Sequence, residues 1–250
     1  MPGYMNQNST VNRIGGPFDQ GLYDESSTQQ HNIGEKMVLP DGRSFRYVYS
    51  AAAIAAGLVV SQDVSATCVV EVDGKATAAA IGATSVILTD SGTLGSATAN
   101  QYQGAYLAIT DDDGEGIQYR IKSNTAASTN AVTFTLFDGL VVALTTDSDV
   151  AITGDLWYNV VGATAGTDYI MSGVTVRALQ ANYYGWVQTT GIALILADGS
   201  IAIGDNLTLS DGVAGAVQLK DAETEPKVGF ACFAPDYGGH VQVVLQGLVP

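Results

Sequence analysis

The chain has little positive charge. Ten lysines and arginines stand against 25 aspartates and glutamates, a formal net charge of −15, and residues 51–250 hold six of the bases but 20 of the acids. A surface that displaces counterions from phosphates needs clustered basic side chains, so direct binding of DNA or RNA by this region is not expected. Attraction to an anionic membrane is disfavoured for the same reason. Cysteine is confined to Cys68 and Cys232, which lack the short spacing of a metal knuckle or redox pair and read as structural thiols. Histidine is confined to His31 and His240. A zinc centre needs more His or Cys ligands than these, and no H-E-x-x-H motif occurs. There is no G-x-S-x-G elbow, and no glycine-rich loop lies between a strand and a helix with a following lysine. We therefore assign no catalytic residue, no cofactor and no metal, and do not expect an enzyme. Long apolar runs are missing as well. The longest, Ala51 to Val60, is about half of what a membrane helix requires. The opening MPGYMNQNSTVNRIGG has no basic start followed by an apolar segment, so no secretory signal is expected and synthesis in the cytosol is.

What is present favours strands and tight turns: 29 glycines, with many alanines, threonines and valines. Residues 1–36 are rich in Asn, Gln, Ser, Thr and Gly, show no period of 2 or 3.6, and read as an extended N-terminal arm, either disordered or laid on a partner surface. Beyond Leu58 the segments TCVVEV, TSVILTD, YLAIT, IQYRI, VTFTLF and VVAL recur about every ten residues between Gly and Asp turns, the spacing of a β-sandwich or barrel. A break near GATAGTDYIMSG precedes a second set: YYGWVQ, GIALIL, NLTLS, AVQLK, VGFACFA and HVQVVLQG. The predicted fold is all-β, with an arm (1–36), one β domain (37–165) and a C-terminal β domain (166–250). The alanines of 51–56 are expected to form a short helix stopped by a left-handed Gly57, the alternative being a small-residue strand that lets another backbone approach closely.

Two segments are candidates for chemistry. Asp111, Asp113, Glu115 and Gly116 match the first positions of a calcium loop, but the twelfth is Lys122, where a bidentate acid is needed, so a solvated hairpin turn is the preferred reading. Trp157, Trp186 and the tyrosines could stack on sugars, yet Tyr183, Tyr184 and Trp186 lie on an expected strand, where aromatics more often fill a core. Scattered acids could pair to hydrolyse a glycoside, but acidic turns account for nearly all of them.

The segment LPDGRSFRYVYSAAAIAAGLVV (39–60) sets an aromatic, arginine-bearing strand against small residues. It resembles a segment near the N-terminus of tailed-phage capsid decoration, or cement, proteins. YYGWVQTTGIALIL, IAIGDNLTLSDGVAGAV and PKVGFACFAP resemble the C-terminal β domain of the same proteins, in patterns similar to those of phages of cyanobacteria and other aquatic bacteria. The resemblance covers residues 37–62 and 166–248, while the middle is only generically similar. It implies a virion component on the outer surface of the head, a homotrimer that binds the major capsid protein and holds the shell against the pressure of packaged DNA. An arm of 35 residues would reach roughly 100 Å if extended. Arg13 in the arm and Arg43, Phe45, Arg46, Tyr47 and Tyr49 on the strand are the expected contacts with the capsid or with neighbouring copies, one face of the strand packing inward and the other meeting an acidic partner. The alternative is a first core strand with its arginines in solvent. A phage fibre or a surface carbohydrate-binding β module is the competing function.

Overall fold

The computed structural model describes residues 20–62, 69–72 (backbone), 76–89, 93–165, 170–233 and 239–246. It is 45% strand, and no α-helix occurs among the described residues. The chain is two compact units, but they do not follow one another. Residues 63–155 form one unit, inserted into another made of 1–62 and 156–250. The expected boundary at 165/166 is thereby replaced by two crossings. The reason is long-range pairing: strands before and after the insertion belong to one sheet, which turn spacing does not encode.

Strands β1 (Lys36–Val38), β2 (Ser44–Tyr49) and β3 (Val59–Gln62) precede the insertion. Within it lie β4 (Val69–Val72), β5 (Ser85–Thr89), β6 (Tyr106–Asp111), β7 (Gln118–Asn124), β8 (Ala131–Leu136) and β9 (Asp149–Thr153). After it come β10 (Val160–Gly162), β11 (Met171–Thr175), β12 (Tyr184–Ala197), β13 (Asn206–Leu209), β14 (Val217–Leu219), β15 (Gly229–Phe233) and β16 (Gly239–Leu245). The inserted unit is one antiparallel sheet in the order β4-β9-β6-β7-β8-β5. Alternation sets its core: along β8, Val132, Phe134 and Leu136 are buried while the residues between them are half-buried. The expected VVAL strand is not formed. Val141 and Val142 are exposed in a loop, and Leu144 makes only an isolated bridge to Ala79.

In the larger unit β12 is shared by two sheets. Its first half pairs with β2 and β11, and its second half pairs with β16 and, at Ala197, with β14. The ring β12-β14-β13-β15-β16 closes into a five-stranded barrel, cored by residues such as Ile195, Leu207, Val217, Val241 and Val243. The strand changes sheet at Gly191, whose φ of +86° lies in the left-handed region. A Cβ there would meet Arg43 Cγ at 2.7 Å. The buried Gln188 bridges the bend, its Nε2 donating to the carbonyls of Thr190 and Ile192, each at 2.9 Å.

The short helix expected over Ala51–Ala56 is absent. Its backbone donors are taken by neighbouring segments: Ala51 N donates to Val160 O at 3.0 Å and Ile54 N to Leu179 O at 2.9 Å. Those bonds leave no i−4 ladder to form. Gly57 does adopt the left-handed conformation, φ +74°.

Candidate functional site

Strand β2 is an interior strand. Arg46 is opposite Lys36 of β1 on one side and Val187 of β12 on the other. Phe45 and Tyr47 are fully buried and pack with Trp186. Residues 20–35 of the same chain lie over Phe45 and Tyr47 of this strand, with Leu22 and Ile33 packed against them, whereas Arg43, Arg46 and Tyr49 are half-buried. The leader is laid on its own body. Tyr184 and Ser26 exchange two backbone hydrogen bonds, 3.0 and 2.8 Å. Tyr47 donates its hydroxyl to Gln20 Oε1 at 2.6 Å and accepts from the Gln30 backbone N–H at 3.2 Å. Trp186 Nε1 donates to Gln20 O at 3.3 Å. His31 sits edge-on to both Tyr47 and Trp186, with ring centroids 5.1 and 5.0 Å away, and its Nδ1 lies 3.1 Å from Glu35 Oε1. Burial pushes the Tyr47 hydroxyl up to about 12.

The remaining predicted residues are also occupied within the chain. Arg46 donates to Gly34 O at 2.8 Å and lies over the Trp157 ring at 4.7 Å. Tyr49 stacks on Tyr158, centroids 5.0 Å apart, and donates to Asn182 Oδ1 at 3.1 Å. Arg43 pairs with Asp41, Nε to Oδ2 2.7 Å, and lies 5.7 Å from the Phe45 ring. The structure thus brings Arg43, Phe45, Arg46, Tyr47 and Tyr49 together as the inner seam of one unit. Arg13 lies outside the described residues. At the strap's other anchor, burial raises the Glu25 carboxyl, but hydrogen bonds from Gln180 and the charge of Arg177, 3.6 Å away, outweigh it and hold Glu25 below its ordinary value. Asp111 to Gly116 form the β6–β7 hairpin turn, with Asp112 N bonded to Asp111 Oδ1 at 2.9 Å and Gly116 N to Ile109 O at 3.0 Å. No three His, Cys, Asp or Glu side chains gather as a metal site among the described residues.

The surface that sequence reasoning missed is the outer wall of the barrel. Ile192 of β12 is opposite Val244 of β16, which is opposite Phe230 of β15. The next row runs from Leu194 through Gln242 to Phe233. Ile192 and Leu194 are 53% exposed and Phe233 is 50% exposed. The β12 edge of this wall opens into a groove of about 260 Å³ lined by Tyr23, Arg43, Ile192, Leu194 and His240. None of the outward residues in these rows is acidic, in a chain with 25 acids. A signal was present in GIALIL: a strand apolar at both parities has two faces to cover. In the inserted unit, Ile81, Val141 and Phe137 are also exposed, so apolar side chains point outward there too.

Comparison of the chain with protein-family models, curated proteins and solved structures finds no match.

Proposed function

We propose that the protein is a virion structural protein, a capsid decoration or cement protein that binds the outer surface of the major capsid protein shell as a homotrimer and stabilises it against internal DNA pressure. One observation carries the reading. The phrases behind the resemblance, in 37–62 and 166–248, are far apart in sequence yet fall within a single compact unit of 1–62 and 156–250. The generically similar middle corresponds to the other unit, 63–155. Chance likenesses between short phrases have no reason to respect a fold boundary. The acid-free apolar wall of the barrel adds support, since contiguous apolar surface on a soluble protein marks a place for other proteins. The role of the arm is narrowed, because residues 20–35 are spent on their own body.

The test is stoichiometry and strength of the particle. Quantitative mass spectrometry of purified virions should find the protein at a copy number comparable with the major capsid protein. Heads lacking it should release DNA at lower temperature, and adding it back should restore the wild-type value. A few copies per particle together with binding to host cells would establish a fibre instead and overturn the proposal.

A further inference from the structure

We infer that the cleft between residues 53–55 and 177–180 is a binding site for a neutral carbohydrate, which lays the face of a sugar ring on the alanine rim and sets adjacent hydroxyls on Glu25, Arg177 and Gln180. The cleft holds about 400 Å³, at the lower end of the range of small-ligand sites. Its floor is Ile54 and Leu179, both buried, and Ala53, Ala55 and Ala178 stand exposed along its rim. The backbone fixes the floor: Ile54 N donates to Leu179 O and Leu179 N to Ile54 O, each at 2.9 Å. At one end three planar polar groups converge and hold one another. Gln180 donates to Glu25 twice, from its backbone N–H at 2.9 Å and from Nε2 at 3.0 Å, and Arg177 Nη2 lies 3.6 Å from Glu25 Oε1. Arg177 also donates to Tyr23 O, so two partners set its plane.

The chemistry of the walls selects the ligand. A peptide added as a strand needs unpaired N–H and C=O groups along its seat, and on this floor those of Ile54 and Leu179 are bonded to each other. A charged ligand needs a net opposite charge, but the carboxylate of Glu25, held ionised below its ordinary value, lies beside the Arg177 guanidinium and cancels it. An anion is further repelled by a chain of net charge −15. A hydrocarbon would strip water from three polar groups without replacing its hydrogen bonds. What remains is a ligand with hydroxyls on its edge and C–H groups on its face. A carboxylate accepts, a guanidinium donates and an amide does both, so neighbouring hydroxyls find partners at this end while the C–H face covers the alanine methyls. The strip continues beyond the cleft: Ser50 N donates to Tyr183 O at 2.9 Å and Asn182 N to Ser50 O at 2.8 Å. It leads to Asn182 and to Tyr49, which stacks on Tyr158. These half-buried tyrosines offer the next ring of a longer chain an aromatic surface.

The experiment is saturation-transfer NMR of the full chain with neutral oligosaccharides of glucose, mannose, galactose, rhamnose and N-acetylglucosamine, and with lactose beside 3′-sialyllactose as a neutral and anionic pair. Wild type should saturate at least one neutral sugar, with a dissociation constant on the order of 1 mM for a single ring in so shallow a site and a lower one for longer chains. Lactose should receive more transfer than 3′-sialyllactose. Ala178→Trp fills the cleft from its exposed rim without touching a hydrogen bond and should abolish binding. Ala178→Ser, at the same site, should bind as wild type does. Glu25→Gln keeps the shape of the polar end and removes its charge, and should weaken binding about tenfold. Circular dichroism melts establish that the variants are folded. No transfer to any neutral sugar, binding unchanged in folded Ala178→Trp or Glu25→Gln, or stronger transfer to 3′-sialyllactose than to lactose would each overturn the inference. The site does not rest on the proposed function. Copy number on the virion decides that reading and sugar binding by the purified chain decides this one, so either can fail alone.

Discussion

Replacing Tyr47 by phenylalanine deletes one oxygen and keeps the ring. That oxygen is the meeting point of the strap and the body: it donates to Gln20 Oε1 at 2.6 Å and accepts from the Gln30 backbone at 3.2 Å. At about 1 kcal/mol per hydrogen bond the loss should be about 2 kcal/mol, and less if water reaches the half-buried Gln20. Tyr47→Ala also removes a fully buried ring in contact with His31, Trp186 and Tyr184 at centroid distances of 5.1, 5.0 and 6.0 Å. Aromatic truncations in a core cost about 3–5 kcal/mol, so the alanine variant should lose about twice what phenylalanine does. Urea unfolding followed by tryptophan fluorescence reads this cleanly, since Trp157 and Trp186 both belong to the larger unit. The transition midpoint is the quantity to compare, because the native signal of Trp186 itself changes when its neighbour is removed. Limited proteolysis should show cleavage within residues 20–35 appearing earlier in both variants. If Tyr47→Ala costs under about 1 kcal/mol, or if the strap is cut no faster than in wild type, the claim that this ring fastens the leader to the body is wrong.

Other outcomes follow from the same geometry. The Tyr47 phenol, with its folded value raised above 10.0 to about 12, contributes stability that is complete below pH 10 and is lost as pH rises towards 12, at most about 3 kcal/mol; because burial raises Tyr184 as well, an ultraviolet titration at pH 11 should find fewer tyrosines ionised in folded than in unfolded protein, and Tyr47→Phe should narrow that gap. Glu25 and Asp41, both held below their ordinary values, work the other way: their share of stability is present above about pH 4.5 and falls away as acid protonates them, so strap proteolysis should accelerate below that pH and not in a Glu25→Gln variant. Gly191→Ala places a Cβ against Arg43 Cγ at a φ of +86° and should cost about 1–3 kcal/mol, seen as a lowered urea midpoint. In the inserted unit, Asn124 is buried and its side chain accepts from Tyr102 N at 2.8 Å and donates to Thr98 O and Thr125 O at 2.9 Å; Asn124→Ala should cost about 3 kcal/mol, read by hydrogen exchange across 76–155 with the tryptophan transition unmoved.

Local signals in the sequence were legible where local physics decides the outcome. Alternation in VTFTLF and turn residues in DDDGEG placed β8 and the β6–β7 hairpin, and the all-β class followed. Alanine propensity misled at 51–56, where donors found partners in Val160 and Leu179, more than a hundred residues on. YYGWVQ and GIALIL read as two strands because the glycine between them looks like a turn, whereas it is a bend inside one strand. The seam residues were identified as a group, but the way the chain itself holds them was not legible, for one reason. Phe45 and Tyr47 share a parity, and Val48 is buried on the other, so both faces of β2 had to be covered; the cover lies in a polar leader with no apolar period of its own. GIALIL, apolar at both parities, signalled a strand with two faces to cover, but only the pairing of β12, β16 and β15 puts Leu194, Gln242 and Phe233 in one row.

The pairing of Gln62 with Val160 places the departure and return of residues 63–155 on adjacent antiparallel strands. During translation, the strands of that unit find their partners within it, whereas β2 waits for β12 and β12 waits for β16, the last strand in the order. The strand order thus allows the inner module to be completed while its host is still an open sheet, an advantage that a passenger grafted into the same slot would share.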